Sequence, residues 1–363
     1  MRIAYAIQRF YPVIGGAENV CFRLAYFMVH EGWDVKVFTL NLDQSWRRGL
    51  KQAEQVNSIL IERYNWNFKL LSYYVSISML KHMIKENFDL MHAHIYGFFP
   101  SDVAFISSKL KKRPYIITPH GFHYLVSGVR KILHKIYDNV FGRLLLSYAK
   151  FVTCVSKMEI PIVKMIAPKA NVVHIPNGVD CDHLKSGNAR AFLNKFNLVK
   201  PLVLTIGRVS WIKGFDRWIK VARRLREYTF VWIGPLEDIT LLKRYKPPKN
   251  AVYLGKLTEE DKINALNACD VFFLPTRYEA FAIVIREAQA CGKPIIATAL
   301  PEFKNVSGMI PVKNGEIDQY CKAIRYAIDN RHIGLEGIKE AKKYDWRRIL
   351  LRYKKLYQLA VTQ

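Results

Sequence analysis

The chain has 363 residues, half of them hydrophobic, which is too long for one ordinary core and suits two packed domains rather than a disordered chain. It carries 56 Lys and Arg against 30 Asp and Glu, a net charge of +26 that is spread over both halves. Such a field attracts anions (nucleotides, nucleic acid or an anionic membrane face) without choosing among them. The six cysteines include no Cys-x-x-Cys pair, which argues against zinc or a disulfide framework and indicates reduced thiols in a cytosolic protein.

Neither a signal peptide nor a transmembrane helix is expected. The first apolar run is short and is followed at once by Gln8 and Arg9. The most apolar long stretch, 88–108, contains two histidines and Asp102, so it falls short of the roughly 20 apolar residues that cross a bilayer.

Short apolar runs alternate with helical patterns along the first half, which is typical of parallel α/β units. Strands are predicted at 2–7, 34–40, 88–94, 114–120 and 150–156, and helices at about 18–30 and 130–149. The segment 171–180 closes this half with a Pro-Asn-Gly turn. The polar stretch 182–200 is predicted to connect two domains.

The second half repeats the pattern. Strands are predicted at 201–208, 229–234, 251–255, 270–275 and 293–298, and helices at about 214–227, 258–268, 281–291 and 315–330. A last helix begins after Asp345, which is a suitable capping residue. The sequence therefore predicts two doubly wound α/β domains facing across a cleft. Because open parallel sheets bind ligands beyond the carboxyl ends of their strands, residues that directly follow strands are the candidates for function.

Two cations and two carboxylates follow strands of the second half. Arg208 and Lys213 lie beside a predicted helix start and suit a diphosphate, although a solvated basic turn explains the charges equally simply. Glu279 and Glu287 are at most about 12 Å apart along a helix axis and do not share a face, so they are not an acid/base pair. They are either two grips on separate hydroxyl groups of one long ligand, or a capping residue and a surface residue.

The candidates of the first half are weaker. Gly15 and Gly16 follow the first strand and let the backbone approach a ligand, or form a plain tight turn. His120 ends a strand and is either a functional or a structural imidazole. The His-Ala-His of 92–94 lacks a third ligand, and the Asp-Cys-Asp of 180–182 is interpreted as a helix cap, so no metal site is predicted.

Taken in order, these segments resemble the retaining GT-B glycosyltransferases of family 4, the group 1 glycosyl transferases. The resemblance covers nearly the whole chain and rests on "GGAENV", "FDLMHAH", "TPHGFH", "VTCVSK", "IPNGVD", "IGRVSWIKGFD", "EAFAIVIREAQACGKPIIAT" and a last helix that contains tryptophan. It implies an acceptor-side Rossmann-like domain at 1–180, joined by the helix at about 346–363, and a nucleotide-sugar domain at 181–345. The implied reaction is transfer of a sugar from a nucleoside-diphosphate sugar to a hydroxyl group, without a metal or other cofactor.

The resemblance also implies roles for individual residues. Arg208 and Lys213 would bind the diphosphate of the donor, Glu279 the transferred sugar and Glu287 the ribose. The other implied contacts are the backbone of Phe281, Ala282 and Ile283 with the phosphates or sugar, Leu257 with the base, Gly15 and Gly16 with the donor, and His120 with the reacting sugar. The chain departs from the family in having Ala280 and Ala282 where glycines are usual, and in the short segment 299–303.

The acceptor is expected to be a glycan or a lipid-linked molecule, and no nucleic acid is expected as a partner. Residues 109–150 hold nine Lys and Arg interleaved with apolar side chains. This composition suits peripheral docking of a cytoplasmic protein on an anionic membrane, or a solvated basic helix that packs by its apolar face. Two other classes stay open: a sugar-nucleotide epimerase of the same fold, and a basic membrane- or nucleic-acid-binding protein without catalysis.

Overall fold

The computed structural model describes residues 1–13, 15–122, 128–279, 281–313 and 316–362. Its backbone divides into two compact units. The first comprises Met1–Asn177 and Arg347–Gln363, and the second comprises Gly178–Trp346. The roles that the sequence assigned to the two halves, acceptor side and donor side, stay predictions.

The first unit is a parallel, doubly wound sheet with one antiparallel edge strand. Its elements are β1 (Arg2–Ile7), α1 (Gly16–His30), β2 (Asp34–Leu40), β3 (Ala53–Val56), β4 (Ile59–Tyr64), β5 (Phe68–Leu70), β6 (Tyr73–Val75), α2 (Ile77–Lys85), β7 (Leu90–His94), α3 (Phe99–Lys111), β8 (Tyr115–Thr118), α4 (Val129–Tyr137), α5 (Arg143–Tyr148), β9 (Phe151–Cys154), α6 (Glu159–Ile166) and β10 (Val172–His174). The strand order is β10-β9-β8-β7-β1-β2-β4-β3, with only β3 antiparallel to its neighbour, and β5 and β6 form a separate hairpin. The order reverses between β1 and β7, which makes their carboxyl ends a topological switch point.

The second unit is a six-stranded, wholly parallel sheet. Its elements are α7 (Cys181–Lys185), α8 (Ala189–Phe196), β11 (Leu202–Ile206), α9 (Phe215–Arg224), β12 (Thr229–Ile233), α10 (Ile239–Arg244), β13 (Ala251–Gly255), α11 (Glu259–Ala268), β14 (Val271–Leu274), α12 (Ile283–Ala290), β15 (Ile295–Thr298), β16 (Met309–Val312), α13 (Ile317–Asp329) and α14 (Leu335–Ala341). The order β13-β12-β11-β14-β15-β16 is the classical dinucleotide-fold order. Its switch point lies between β11 and β14, and apolar clusters fill both faces of the sheet.

The terminal helix α15 (Trp346–Thr362) packs in the first unit. The hydroxyl of Tyr357 lies 2.6 Å from His92 Nδ1 on β7 and 3.3 Å from the hydroxyl of Tyr5 on β1. Tyr353 and Tyr357 are both buried, so α15 covers part of the first sheet. Among the described residues, no helix is both long and apolar enough to cross a membrane.

Three expectations about elements need correction. The stretch 182–200 is not a plain connection, because α7 and α8 lie within it and bury Leu184 and Phe192. The strands and helix between 53 and 85 were not predicted; β3 and β5 have no buried residue, but β4 buries four of its six residues and α2 buries Met79 and Met83. The helix expected at 130–149 is interrupted by a π-helical turn at Asp138–Gly142.

Candidate functional site

The switch point of the second unit is built from two loops that touch. Gly214, the residue before α9, has φ +78°, and a Cβ atom placed there would lie 2.1 Å from the carbonyl oxygen of Pro275. Only glycine allows both the left-handed conformation and this approach. The loop after β11 is therefore pressed against the end of β14, which brings Lys213 and Glu279 together.

Lys213 and Glu279 meet across these loops. The ammonium Nζ of Lys213 donates to Glu279 Oε1 at 2.5 Å, with 18% of the lysine side chain and 8% of the glutamate side chain exposed. An ammonium group has three donors, so this bond leaves donors of Lys213 for an anion. A cation and a buried carboxylate 66 positions apart in sequence thus form one polar pair at the switch point.

Arg277 holds the two loops in place, and sequence reasoning missed it. Its guanidinium makes two parallel bonds of 2.8 Å to Asp216, and its backbone N–H donates to Ile212 O at 2.7 Å. The adjacent Thr276 hydroxyl donates to Ile212 O and Tyr278 O. Two parallel bonds between a guanidinium and a carboxylate fix orientation as well as distance, so Arg277 positions the backbone that carries Lys213 and Glu279.

Arg208 follows β11 as predicted but is paired outside this cluster. Its Nη1 donates to Glu237 Oε1 at 2.6 Å, and both side chains are about half exposed. Ion pairs this exposed contribute about 0–1 kcal/mol, so a bound phosphate would compete easily for the guanidinium. Glu237 carries no motif by which the sequence would have revealed it.

Glu287 lies on the buried side of α12. Lys262 of α11 donates to its Oε1 at 2.9 Å and also pairs with Glu259 at 2.8 Å. The two carboxylates raise the pKa of Lys262 although burial lowers it, so the ammonium stays charged. The other oxygen of Glu287, Oε2, is buried and has no hydrogen-bond partner among the residues that the structure describes. A buried carboxylate oxygen without a donor is an exception in folded proteins and fits a site that awaits a hydroxyl ligand.

The predicted backbone contacts surround the start of α12. Ala282 precedes the helix and has no capping side chain, and the N–H groups of Ile283 and Ile285 donate to the carbonyls of Phe281 and Ala282 at 2.9 and 3.0 Å. Phe281 packs against Tyr344 at a ring distance of 5.9 Å, and Ile283 packs on the core. Because anions bind at helix starts through free N–H groups, these two hydrogen bonds leave fewer donors for a phosphate at this position. Leu257 follows β13 and packs on the same core, while Ala280 lies outside the described residues.

A further carboxylate near Glu279 comes from the segment 299–303. Burial raises the pKa of Glu302, and the negative charge of Glu279 raises it further. Its backbone belongs to a short 3₁₀ turn after β15, Pro301–Phe303. Sequence reasoning described this segment only as short, and the structure shows that it carries a carboxyl group whose charge interacts with that of Glu279.

In the first unit, Gly15 and Gly16 lie where the chain enters α1. Gly15 is the capping residue with extended backbone, and a Cβ atom at Gly16 would meet nothing within 4 Å. The buried Glu18 in the first turn pairs with Arg9 at 3.0 Å. The diglycine therefore follows the β1 end of the switch point and leaves open space beside its second residue.

His120 follows β8 with a left-handed φ of +57°. Its Nε2 lies 2.8 Å from Nδ1 of the buried His94, so one ring donates and the other accepts. Burial lowers the pKa of His120 to about 3 and lowers that of His94 as well, so both imidazoles are neutral near pH 7. The buried carboxylate of Glu159 accepts from the N–H of Gly121 at 2.6 Å and fixes the following backbone.

The His-Ala-His motif serves packing in this structure. His92 bonds to Tyr357 through Nδ1 and to Thr118 through Nε2 at 2.8 Å. Within the described ranges, no three His, Cys, Asp or Glu side chains gather in a metal-binding arrangement. Asp180 caps α7 by accepting from the N–H of His183, which confirms its interpretation as a helix cap.

Solved structures with the same fold are glycosyltransferases. Sucrose-phosphate synthase from Thermosynechococcus elongatus has a TM-score of 0.78 at 18% identity and covers 100% of both chains. Anabaena HepE in complex with UDP also has a TM-score of 0.78 at 18% identity, over 99% of this chain and 100% of that one. The fold is therefore GT-B, with two Rossmann-like domains.

The sequence comparisons give the family. The model of "Glycosyl transferases group 1" matches residues 190–344, and that of "Glycosyltransferase Family 4" matches residues 14–183. Both matches are to glycosyltransferases, and the chain belongs to the group 1, family 4 glycosyltransferases. This confirms the resemblance.

Two characterised relatives act on lipids. The processive diacylglycerol alpha-glucosyltransferase of Acholeplasma laidlawii is 28% identical over 60% of this chain and 68% of its own length. The N,N'-diacetylbacillosaminyl-diphospho-undecaprenol alpha-1,3-N-acetylgalactosaminyltransferase of Campylobacter jejuni is 23% identical over 70% of this chain and 73% of its own length.

Proposed function

We propose that this glycosyltransferase transfers a sugar with retention from a nucleoside-diphosphate sugar to a hydroxyl group of a lipid-linked or glycan acceptor, without a metal. The observation that carries the proposal is the Lys213–Glu279 pair at the switch point of the second unit. It sets a cation suited to phosphate beside a carboxylate suited to sugar hydroxyls.

The donor would bind along the second unit. Lys213 has donors to spare for the diphosphate, and Arg208 can leave its exposed pair with Glu237. Glu287 would accept a ribose hydroxyl through its unpartnered Oε2. Leu257 would contact the base through its backbone. HepE, which shares the fold, was solved with UDP.

The chemistry requires a leaving group and a stabilised sugar cation. The bond between the anomeric carbon and the phosphate oxygen breaks, and Arg208 and Lys213 neutralise the charge that develops on the departing diphosphate. The acceptor oxygen attacks the same face, and its proton passes to the departing phosphate oxygen. Glu279 would hold sugar hydroxyls, while His120, neutral near pH 7, would donate or accept a hydrogen bond near the reacting sugar.

The acceptor side is assigned to the first unit, with Gly15 and Gly16 closing on the donor. A lipid-linked acceptor is favoured because two relatives use diacylglycerol and diphospho-undecaprenol acceptors, as their names state. Such an acceptor would place the protein on the cytoplasmic face of a membrane as a peripheral protein.

A thermal-shift panel of uridine, guanosine and adenosine diphosphates and their sugars tests the donor assignment. One nucleotide series should raise the melting temperature, and the matching donor should release nucleoside diphosphate when membrane lipid is added. Absence of any shift would contradict the proposal. Isomerisation of a donor incubated alone would instead indicate an epimerase.

A further inference from the structure

The helical segment that follows Gly128 in the first unit has two apolar faces. The inner face is formed by Tyr137, Phe141, Leu145 and Leu146, which pack on the core. The outer face, called here the outer stripe, consists of Ile132, Ile136, Val140, Leu144 and Tyr148. Its first four members are 56–63% exposed, so burial in the core accounts for only one of the two faces.

The π-helical turn keeps the outer stripe straight. Residues four apart on an α-helix drift around the axis by about 40° at each step, because a turn takes 3.6 residues. The wider turn at Asp138–Gly142 rotates the following residues back. Five residues spaced by four therefore stay on one side over the whole length from Ile132 to Tyr148.

Cations border the outer stripe. Lys131, Lys135 and Arg143 are exposed on the same helical segment. At its far end, the Tyr148 hydroxyl donates to Ser108 O, which joins the stripe to the end of α3. Exposed side chains there are Lys109, Leu110, Lys112 and Arg113. Against these cations, residues 109–150 contain one acidic residue, Asp138, and it accepts from the Tyr96 hydroxyl at 2.8 Å.

A second exposed apolar element is anchored at the same point. The β5–β6 hairpin exposes Phe68, Leu70 and Leu71 by 49–64%. Tyr73 of the hairpin and Tyr137 of α4 each donate to the buried carboxylate of Asp102, at 2.5 Å. Asp102 therefore links the hairpin to α4, the helix that carries the first residues of the outer stripe.

We propose that the outer stripe, with its border of cations, docks on an anionic lipid bilayer. An apolar stripe between cations matches a helix that lies in the membrane interface, where apolar side chains enter the acyl region and cations meet anionic headgroups. Nucleic acid would satisfy the cations but leave the apolar side chains in water. A second copy would bury the apolar side chains but bring like charges together. This docking rests on the membrane location in the proposed function and names the surface responsible, whereas vesicle binding itself requires no catalysis.

Co-sedimentation of the full chain with vesicles tests the proposal. The chain should bind vesicles of mixed phosphatidylglycerol and phosphatidylcholine at least about 10-fold more tightly than phosphatidylcholine alone, and the preference should weaken at high salt. The Ile136→Glu/Leu144→Glu variant should lose at least about 10-fold in binding. Lys131→Ala/Lys135→Ala/Arg143→Ala should lose about 100-fold, since each cation near an anionic surface strengthens binding roughly fivefold.

Matched variants of the second unit serve as controls. Val199→Glu/Leu335→Glu changes side chains that are 69% and 60% exposed, and Lys220→Ala/Lys243→Ala/Lys322→Ala removes three exposed cations. Both should bind as the wild type does. The proposal would be overturned if test and control variants lost binding equally, or if the chain showed no preference for anionic vesicles. It would also be overturned if the chain formed a dimer that the Ile136→Glu/Leu144→Glu variant dissociated.

Two measurements separate docking from folding and catalysis. Melting temperatures show whether the variants are folded. If the Ile136→Glu/Leu144→Glu variant does not fold, the vesicle binding of Lys131→Ala/Lys135→Ala/Arg143→Ala tests the proposal by itself. Transfer to a water-soluble acceptor should be unchanged in all variants. A chain that binds vesicles but transfers no sugar would contradict the proposed function and leave the docking surface in place.

Discussion

In the proposed donor complex, Lys213 binds the phosphate and Glu279 binds the sugar, and the two side chains are bonded to each other. Their bond holds the two side chains in a fixed orientation to each other. Preorganised charges of this kind stabilise a developing negative charge without further rearrangement. Removing the cation would therefore affect turnover more than folding.

We expect Lys213→Ala and Arg208→Ala each to lower kcat at least about 100-fold, because a charged group aimed at the leaving phosphate is lost. Initial rates of nucleoside diphosphate release measure the effect. Lys220→Ala, an exposed lysine on α9, is the control and should keep wild-type turnover. Near-normal turnover in both test variants would contradict the diphosphate assignment.

Glu287 should determine recognition of the ribose. Its unpartnered Oε2 would accept a ribose hydroxyl, and a hydrogen bond to a charged group changes affinity by about 10- to 100-fold. In calorimetric titrations, the wild type should therefore prefer a nucleoside diphosphate over its 2′,3′-dideoxy form, and Glu287→Gln should bind the two almost equally. An undiminished preference in Glu287→Gln would place the ribose elsewhere.

At the scale of elements, the site depends on one close approach between two loops. Gly214 meets the carbonyl of Pro275, and Arg277 bonds the same two loops together. The sequence predicted the strand before each loop and the helix after it. It gave no sign of Arg277, because an arginine paired across 61 positions has no local pattern.

We expect Gly214→Ala to lower both stability and turnover. The new Cβ atom would force the loops apart, in addition to about 1–2 kcal/mol for the left-handed conformation. Gly255→Ala is a matched control, since Gly255 also has positive φ but its Cβ atom would meet nothing within 4 Å. Urea unfolding should show a loss at Gly214 that exceeds the loss at Gly255 by at least about 1 kcal/mol. Equal losses would mean that the contact with Pro275 is unimportant.

On the scale of the whole molecule, the histidines with a lowered pKa lie in the first unit. Burial is the main cause that lowers the pKa of His92, His94, His120 and His174. The stability from such histidines is present above their unfolded pKa of about 6.5 and is lost as pH falls below it. Burial raises the pKa of Asp102 and Glu159 to about 7 and also raises that of Asp138, which has the opposite effect on stability, but three carboxyl groups offset only part of four histidines.

We therefore expect the first unit to lose stability between pH 6.5 and pH 5 while the second keeps it. Of the carboxylates of the second unit, Asp216, Asp261 and Glu340 have lowered pKa values, so their stabilisation is lost only in stronger acid. Hydrogen exchange with mass spectrometry, corrected for intrinsic rates, resolves the two units. The control His94→Gln should lessen the effect, and equal loss of protection in both units would contradict it.

The fold class could be predicted from the sequence, and so could the places of the candidate site residues after their strands, while their roles in donor binding stay predictions. Strand and helix periodicities and the residues that directly follow strands are local, so they are visible without tertiary structure. Several elements were not predicted, namely those between 53 and 85, α3, α6, α7, α8, α10, β16 and α14, and the π-helical turn at 138–142 was not expected.

The order of the α/β units could be read from the amino-acid sequence, and so could the residues at the ends of their strands. Both follow from local periodicity and spacing. Only the tertiary structure decided the partners: Lys262 on Glu287, His94 on His120, and Arg277 on Asp216. It also decided the exposure of the outer stripe. An apolar residue at every fourth position predicts a helix face, but whether that face meets the core or solvent depends on which side the sheet covers.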